Sequence, residues 1–462
     1  MIQQLDTVLQ NFYLWFYERA SEMNGVGPAS KRNADSDIEV EERFNNSLCC
    51  CGVTSTESAQ KILIHAINFM PELIGCGKYT TELAQYLESR GHEIEVVTAP
   101  PHYPGWFVRA PYRAGVYATE FVGSIRVTRC PIALRAGAPG LWRLLAPLSF
   151  AVAAAPAIMW RILLFRPDVV ICIEPTLMSA PVALLAAKLV GARSLLHVQD
   201  LEVDAAFEVG PLKGGTVRKL ANGVERWLLD GFDKIITISN KMNEALVVKR
   251  LSPGKISVLR NWVDTTAISP APKACSPFRE ELALPANAFV VLYAGNLGPK
   301  QALEVLIAAA RRLASEHDIY CVVAGAGPMR ETLQRQSADL PNVRFLPIQP
   351  VERMNDLLAL ADLHVLSQSK GAADLVLPSK LGGMLASGRP IIATADPDTE
   401  LHDLLSDIAL VTPSGDSEAL ADGILAAREL DWSARVERGL RLVDTMSART
   451  LLPQYEALML AG

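Results

Sequence analysis

Little in these 462 residues points to metal, disulfide or nucleic-acid chemistry. The seven histidines are scattered, with no HExxH or HxH spacing, so no metal is expected. The eight cysteines lack the paired spacing of a disulfide framework. Cys76, Cys130, Cys172 and Cys321 lie in or beside apolar segments and read as buried thiols in a reducing, cytoplasmic setting. Positive charge is not in excess, since 44 Lys and Arg against 50 Asp and Glu leave a formal charge of −6. That argues against a nucleic-acid polymer as partner, although not against a single nucleotide. Long apolar runs are also missing. The best, Leu144–Trp160, has 17 residues without a charge, is alanine-rich, and is interrupted by Pro147 and Pro156. A membrane span needs about 20 predominantly apolar residues, so this stretch is expected to be a helix packed on a sheet.

What is present is apolar bulk. Half the residues are hydrophobic and a fifth are charged, enough for sizeable cores. The length suits two to three domains. Residues 1–60 differ from the rest and read as a poorly ordered extension. Met1–Ala20 carries Leu9, Phe12, Leu14, Trp15 and Phe16, but it has Asp6 and Glu18 and no basic start, so it is no secretory signal. Gly25–Glu42 is polar and charged. Cys49-Cys50-Cys51 has the chemistry for lipidation or redox, and its position favours neither.

From Lys61 onward, apolar strands alternate with amphipathic helices. A strand at Lys61–Ala66 leads to a loop ending in Gly75-Cys76-Gly77. A helix with Tyr79, Leu83 and Leu87 on one face follows, stopped by Gly91, and a strand at Glu93–Thr98 completes a βαβ unit. Strands at Asp168–Ile173, Arg193–Val198, Lys234–Ser239 and Lys255–Leu259 extend this into one doubly wound domain, 61–262. A proline-rich linker opens the second domain, 263–430. Its organising stretch is Phe289–Ala310, FVVLYAGNLGPKQALEVLIAAA: an apolar strand, a turn from Gly295 to Lys300, and a helix with Leu303, Leu306, Ile307 and Ala310 inward. Strands at Asp318–Ala324, ending in Gly325-Ala326-Gly327, and at 343–346, 363–366, 390–394 and 408–411 follow, and 431–462 is a helical tail. The class expected is α/β, with two doubly wound, Rossmann-like domains facing across a cleft.

A strand, a glycine turn and a helix N-terminus make a natural phosphate site, because free backbone N–H groups and the helix dipole both point at the turn. Lys300 adds a full charge there. The same arrangement is also an ordinary βα turn. Neither glycine loop is a dinucleotide fingerprint, since Thr80 and Arg330 fill the third glycine position, and Glu72 stands where a Walker A loop needs glycine. His197-Val198-Gln199-Asp200 ends a buried strand, where open α/β sheets place ligands, and Asp200 would equally serve as a turn cap. Six arginines (Arg109, Arg113, Arg126, Arg129, Arg135 and Arg143) against Glu120 suggest a nearby anionic membrane surface, or a solvated face.

Six motifs occur in order: PELIGCGKYTTELAQYLESRGHEIEVVTAPPHYP, HVQDLEVDAA, RNWVD, YAGNLGPKQALEVLIAAA, VVAGAGPMR and LPSKLGGMLASGRPIIATAD. Through them, residues 61 to 460 resemble a GT-B glycosyltransferase of the retaining family 4 type, in the colanic-acid fucosyltransferase-like subgroup. The resemblance implies a nucleotide-sugar donor, a substrate and not a cofactor, held mainly by the second domain. Lys300 would take the diphosphate, beside Asn296, which stands where arginine is common. Gly325 and Gly327 would let the backbone approach the nucleotide. Ser379 and Lys380 would meet the phosphates or the sugar, and Gly75 and Gly77 would face the donor from the other side. The final helix would cross back to the first domain. Two glutamates eight positions apart are common in the family, and their positions here hold Leu375 and Gly383, with Asp374 the close acid.

The implied reaction is hexosyl or deoxyhexosyl transfer to a glycan or polyprenyl-linked saccharide, in exopolysaccharide or cell-surface polysaccharide synthesis at the inner face of the cytoplasmic membrane. The configuration would be retained, with the departing phosphate receiving the acceptor proton. Lys300 would stabilise the leaving phosphate, and Asp200 or His197 would orient the acceptor hydroxyl. Two alternatives keep the fold: a nucleotide-sugar 2-epimerase and a non-catalytic subunit of a glycan assembly complex. The failed glycine fingerprints disfavour a dehydrogenase.

Overall fold

Two mainly parallel sheets carry the chain. The computed structural model describes residues 59–461 except 73–74, 104, 136–140, 176, 200–214, 370–377 and 398. The extension expected over 1–60 lies almost wholly outside the described residues.

The first sheet is built from β1 (Lys61–Ala66), α1 (Cys76–Ser89), β2 (Glu93–Thr98), β3 (Ala118–Val122), β4 (Ile125–Arg129), α2 (Leu141–Phe165), β5 (Val169–Ile173), α3 (Ala180–Val190), β6 (Arg193–Val198), α4 (Gly215–Gly231), β7 (Lys234–Thr237), α5 (Asn240–Val248) and β8 (Ile256–Val258). Its order is β3-β4-β2-β1-β5-β6-β7-β8. Ile62, Leu63 and Ile64 of β1 are fully buried, as expected for a central strand covered on both faces. The β3–β4 hairpin is antiparallel and was not expected from the sequence. It absorbs two of the clustered arginines. Arg129 is buried and pairs with Glu120, and Arg126 lies 3.5 Å from Glu95. Helix α2 continues through Pro147 and Pro156 and packs on β1, β2 and α3. Among the described residues it alone is long and apolar enough to cross a membrane, and 44% of its apolar window is buried within the molecule.

The second sheet contains β9 (Phe289–Ala294), β10 (Ile319–Ala324), β11 (Val343–Leu346), β12 (Leu363–Leu366), β13 (Ile391–Thr394) and β14 (Leu410–Thr412). Its order, β11-β10-β9-β12-β13-β14, is the 3-2-1-4-5-6 winding of a dinucleotide-type fold. Between the strands lie α7 (Leu303–Arg312), α8 (Arg330–Gln336), α9 (Met354–Ala359), α10 (Lys380–Ala386) and α11 (Glu400–Leu405), preceded by the short α6 (Phe278–Glu281). Val291 and Tyr293 of β9 pack in one core with Leu303, Leu306, Ile307 and Ala310 of α7, while Val290 and Leu292 enter the core on the other face. Helices α12 (Ser417–Glu429), α13 (Ser433–Thr445) and α14 (Ala448–Leu460) end the chain.

By packing, the chain divides into residues up to His197 with Glu202–Lys234, and Val198–Leu201 with Ile235 onward. This seam falls at the start of β7, ahead of β8, whereas the linker in the sequence follows Trp262. The reason lies in side-chain and backbone contacts of the second unit. Glu400 accepts from the backbone N–H of Asn240 (3.2 Å) and Lys241 (3.0 Å). Trp262 is buried edge-on against Tyr455 of α14 at 6.5 Å, and Val263 bridges to Ser447.

Candidate active site

In the second unit, the turns after β9 and β10 are joined backbone to backbone. Gly295 N donates to Ala324 O (3.0 Å), Leu297 N to Ala326 O (2.8 Å) and Met329 N to Leu297 O (2.9 Å). A side chain at Gly325 would overlap the Gly295 carbonyl, and one at Gly327 would overlap Leu297. Both glycines also have left-handed φ values, 138° and 156°. The position where a fingerprint would carry its third glycine holds a clamp instead. Arg330 donates to the carbonyls of Gly325 (2.5 Å) and Leu346 (2.8 Å). Lys300 lies in a 3₁₀ turn, Pro299–Gln301, and not at the start of α7 as expected. Ala302 adopts φ 44° and separates that turn from the helix. The Lys300 and Asn296 residues are exposed.

Lys380 opens α10 on the far side of β9, at the switch point between β9 and β12. Its Nζ donates to the Tyr293 hydroxyl (2.9 Å) and lies 4.0 Å from the centre of that ring. The hydroxyl in turn donates to the Asn296 carbonyl (2.7 Å). A buried tyrosine therefore ties the lysine to the first glycine turn. Among the described residues, no carboxylate pairs with Lys380, and burial lowers its pKa to about 7. Ser379 is exposed and lines a small pocket with Ile238, Arg260, Asn261 and Gly382. Arg260 reaches Glu400 (3.3 Å) and Asn261 reaches Gln199 (3.0 Å). Among the described residues, Arg260 Nε and Asn261 Oδ1 are buried without a partner, so the pocket retains both a donor and an acceptor.

In the first unit, Gly75 has φ 61° at the start of α1, with open space on its side-chain direction. A side chain at Gly77 would meet the Glu72 carbonyl at 2.7 Å, so α1 needs glycine to pack there. His197 ends β6. It is buried, and burial pushes its pKa down to about 3, so the ring is neutral at ordinary pH. Asp200, Asp374 and Leu375 lie outside the described residues. Gly383 faces Leu358 and Ile268, an apolar setting for a position that often carries glutamate in the resembled family. The structure thus brings Gly295, Asn296, Gly325, Gly327 and Lys380 together in the second unit, and in the first sets Gly75 and Gly77 at the start of α1 and His197 near the end of β6. Tyr293, Arg330 and Glu400 were missed by sequence reasoning. Each acts through partners that no local pattern reveals.

The family model described as glycosyl transferase 4-like domain matches residues 75–262, and that described as glycosyl transferases group 1 matches 288–429. The chain is 40% identical over 375 residues to the putative colanic acid biosynthesis glycosyl transferase WcaI of Escherichia coli (strain K12), covering 79% of this chain and 92% of that one. It is 24% identical to the probable glycosyltransferase WbjE of Pseudomonas aeruginosa over 277 residues, 58% of this chain and 68% of that one. Among solved structures, sucrose-phosphate synthase from Thermosynechococcus elongatus superposes with a TM-score of 0.67 at 18% identity, covering 86% of this chain and 98% of that one. WaaG, a glycosyltransferase involved in lipopolysaccharide biosynthesis, gives a TM-score of 0.61 at 14% identity, covering 87% and 100%. The two structural likenesses are likenesses of fold.

Proposed function

Because the chain belongs to the GT-B glycosyltransferases of the family 4 type, we propose that the joined glycine turns, Lys380 and Lys300 receive the diphosphate of its sugar donor. The chain is a glycosyltransferase, with a nucleotide-sugar donor and a saccharide acceptor as substrates. In such a transfer, positive charge builds on the sugar as the anomeric C–O bond breaks, and negative charge builds on the departing diphosphate. Cations and backbone N–H groups placed in advance on the phosphate side lower that barrier. The observation that carries this reading is Lys380. It is an amine at a topological switch point, oriented by Tyr293 beside two backbone turns and, among the described residues, without a carboxylate partner.

Ser379, Arg260 and Asn261 would hold polar groups of the donor. Gly75 and Gly77 would contact the donor, and His197 or Asp200 would orient the acceptor hydroxyl. The reading extends to retention of configuration, with the leaving phosphate accepting the proton, and to a reaction without metal. Product anomer by NMR and activity in chelator test these two points. WcaI supports an exopolysaccharide as the destination. A polyprenyl-linked acceptor at the inner membrane face accords with the exposed apolar residues Leu145, Leu148 and Val152 on α2. Flotation with vesicles would test attachment.

The deciding experiment is thermal-shift binding with UDP, GDP, dTDP and ADP, on the wild type, Lys380→Ala and Lys300→Ala. A ligand at a hundred times its Kd stabilises by about 2.7 kcal/mol. One diphosphate should stabilise the wild type, with the shift reduced in Lys300→Ala and largely lost in Lys380→Ala. No shift with any diphosphate, or an equal shift in all three proteins, would overturn the donor-site assignment.

A further inference from the structure

The loop that leaves β2 is held firmly for a surface segment. Glu72, itself buried, accepts from the backbone N–H groups of both His102 (2.5 Å) and Tyr103 (2.6 Å), and from Asn68 Nδ2 (2.8 Å). Arg129, also buried, donates to the carbonyls of Ala99 (3.1 Å) and Met70 (2.7 Å). Two buried ions thus fix this loop and its neighbour. Burying ions is costly and does little for stability that well-packed apolar side chains would not do. Trp106 adopts φ 56°, a left-handed conformation rare for a bulky residue. Its N–H donates to His102 O (2.7 Å), and its ring meets the His102 ring edge-on at 6.2 Å. Such strain persists where the surroundings over-determine it, and it clusters at ligand sites.

The surface held in this way is aromatic. Tyr103 and Phe107 are 38% and 43% exposed, although large apolar rings normally bury most of their area. The Arg109 guanidinium lies 5.0 Å from the Phe107 ring centre and is itself exposed. The loop departs from the carboxyl end of β2, and the Gly75 turn departs from the same end of the adjacent, parallel β1. Open α/β sheets bind their ligands at those ends. Tyr103 is tied to the segment that leads into the Gly75 turn, because its backbone N–H donates to Glu72 (2.6 Å).

We propose that Tyr103 and Phe107 form a stacking platform for a pyranose ring of the saccharide acceptor, with Arg109 donating to its hydroxyls or to a carboxylate substituent. A pyranose has a C–H face that packs on an aromatic ring and a polar rim that needs directed donors. A rigid aromatic surface beside a guanidinium supplies both at little conformational cost. A lipid tail would need neither the fixed backbone nor the guanidinium. The inference rests on the reading of the chain as a transferase with a saccharide acceptor, and it adds where that saccharide is gripped.

The test is saturation-transfer NMR on the full chain, with methyl glycosides of glucose, galactose, fucose and glucuronic acid. UDP and GDP share the sample as an internal control. Ring C–H protons of at least one glycoside should receive saturation from the wild type. Affinity for that glycoside should fall about tenfold in the Tyr103→Ala, Phe107→Ala double variant. Tyr103→Phe should retain it, and the diphosphate signal and circular dichroism should not change. A glycoside signal that survives in the double variant, or is absent from the wild type while a diphosphate binds, overturns the platform. So does loss of binding to phosphatidylglycerol vesicles without loss of glycoside signal, which would mark the loop as a membrane contact. Failure of the donor reading appears separately, as a missing diphosphate signal in the wild type.

Discussion

The two glycine turns each follow the first strand of a doubly wound sheet, and they are held by different forces. After β1, the Gly75 turn has open space around it. Its neighbourhood is fixed by charged side chains, Glu72 and Arg129, that grip backbone groups. After β9, the Gly295 turn is held by another turn, through backbone hydrogen bonds that leave no room for a side chain at Gly325. The difference suits the phosphate and saccharide roles proposed above. Phosphate is recognised by N–H groups of the main chain, so the main chain itself has to be placed. A saccharide is recognised by side chains, so a loop pinned from beneath can vary its outward residues without losing its path.

The sharpest way to break this comparison is to put the same methyl group on both turns. Gly325→Ala combines a left-handed φ with overlap against the Gly295 carbonyl, and should destabilise by roughly 3 kcal/mol or more. Gly75→Ala meets only the conformational penalty, about 1–2 kcal/mol. Equal losses in urea denaturation would mean the second turn relaxes and its close packing is not what holds it. The next test exchanges the fasteners. Glu72→Ala leaves two backbone donors without their acceptor and should cost about 2–3 kcal/mol. Tyr293→Phe removes one hydroxyl and should cost about 1 kcal/mol. The ranking should reverse for nucleoside diphosphate affinity, which Tyr293→Phe weakens more than Glu72→Ala does.

The last expected effect is on pH dependence. Burial lowers the folded pKa of Lys380 to about 7, below its unfolded value. Between that pH and about 10, the unfolded chain binds the extra proton, so this residue's contribution to stability rises with pH, and Lys380→Met flattens the rise. Diphosphate binding has the opposite sign, because the anion favours the charged amine. Affinity should fall above pH 7, by at most about tenfold per unit, with proton uptake visible by calorimetry in buffers of different ionisation heat. An affinity independent of pH would remove Lys380 from the phosphate.

Much of the scaffold was legible in the sequence. The strands Lys61–Ala66, Glu93–Thr98 and Arg193–Val198 and the inward face of Leu303, Leu306, Ile307 and Ala310 follow from apolar runs and helical spacing alone. The β3–β4 hairpin was hidden because its arginines dominated the composition, although Ile125 and Val127 alternate with them in strand fashion. The glycine turns were legible as turns. Their joining was not, because Gly295 and Gly325 meet only once the sheet has formed. The same holds for Tyr293. It reads as one more apolar residue of β9, and its hydroxyl acquires a task only when Lys380 arrives from 87 residues away.

Lys380 has one further consequence, for labelling chemistry. A surface lysine at pH 7.5 has only about a thousandth of its amine in the free-base form. With a pKa of about 7, most of Lys380 is a nucleophile at that pH. An aldehyde that also carries a phosphate, followed by borohydride, should modify this amine ahead of the exposed lysines. The yield, read by peptide mass spectrometry with and without diphosphate, then becomes a direct gauge of how much of the proposed donor site is occupied.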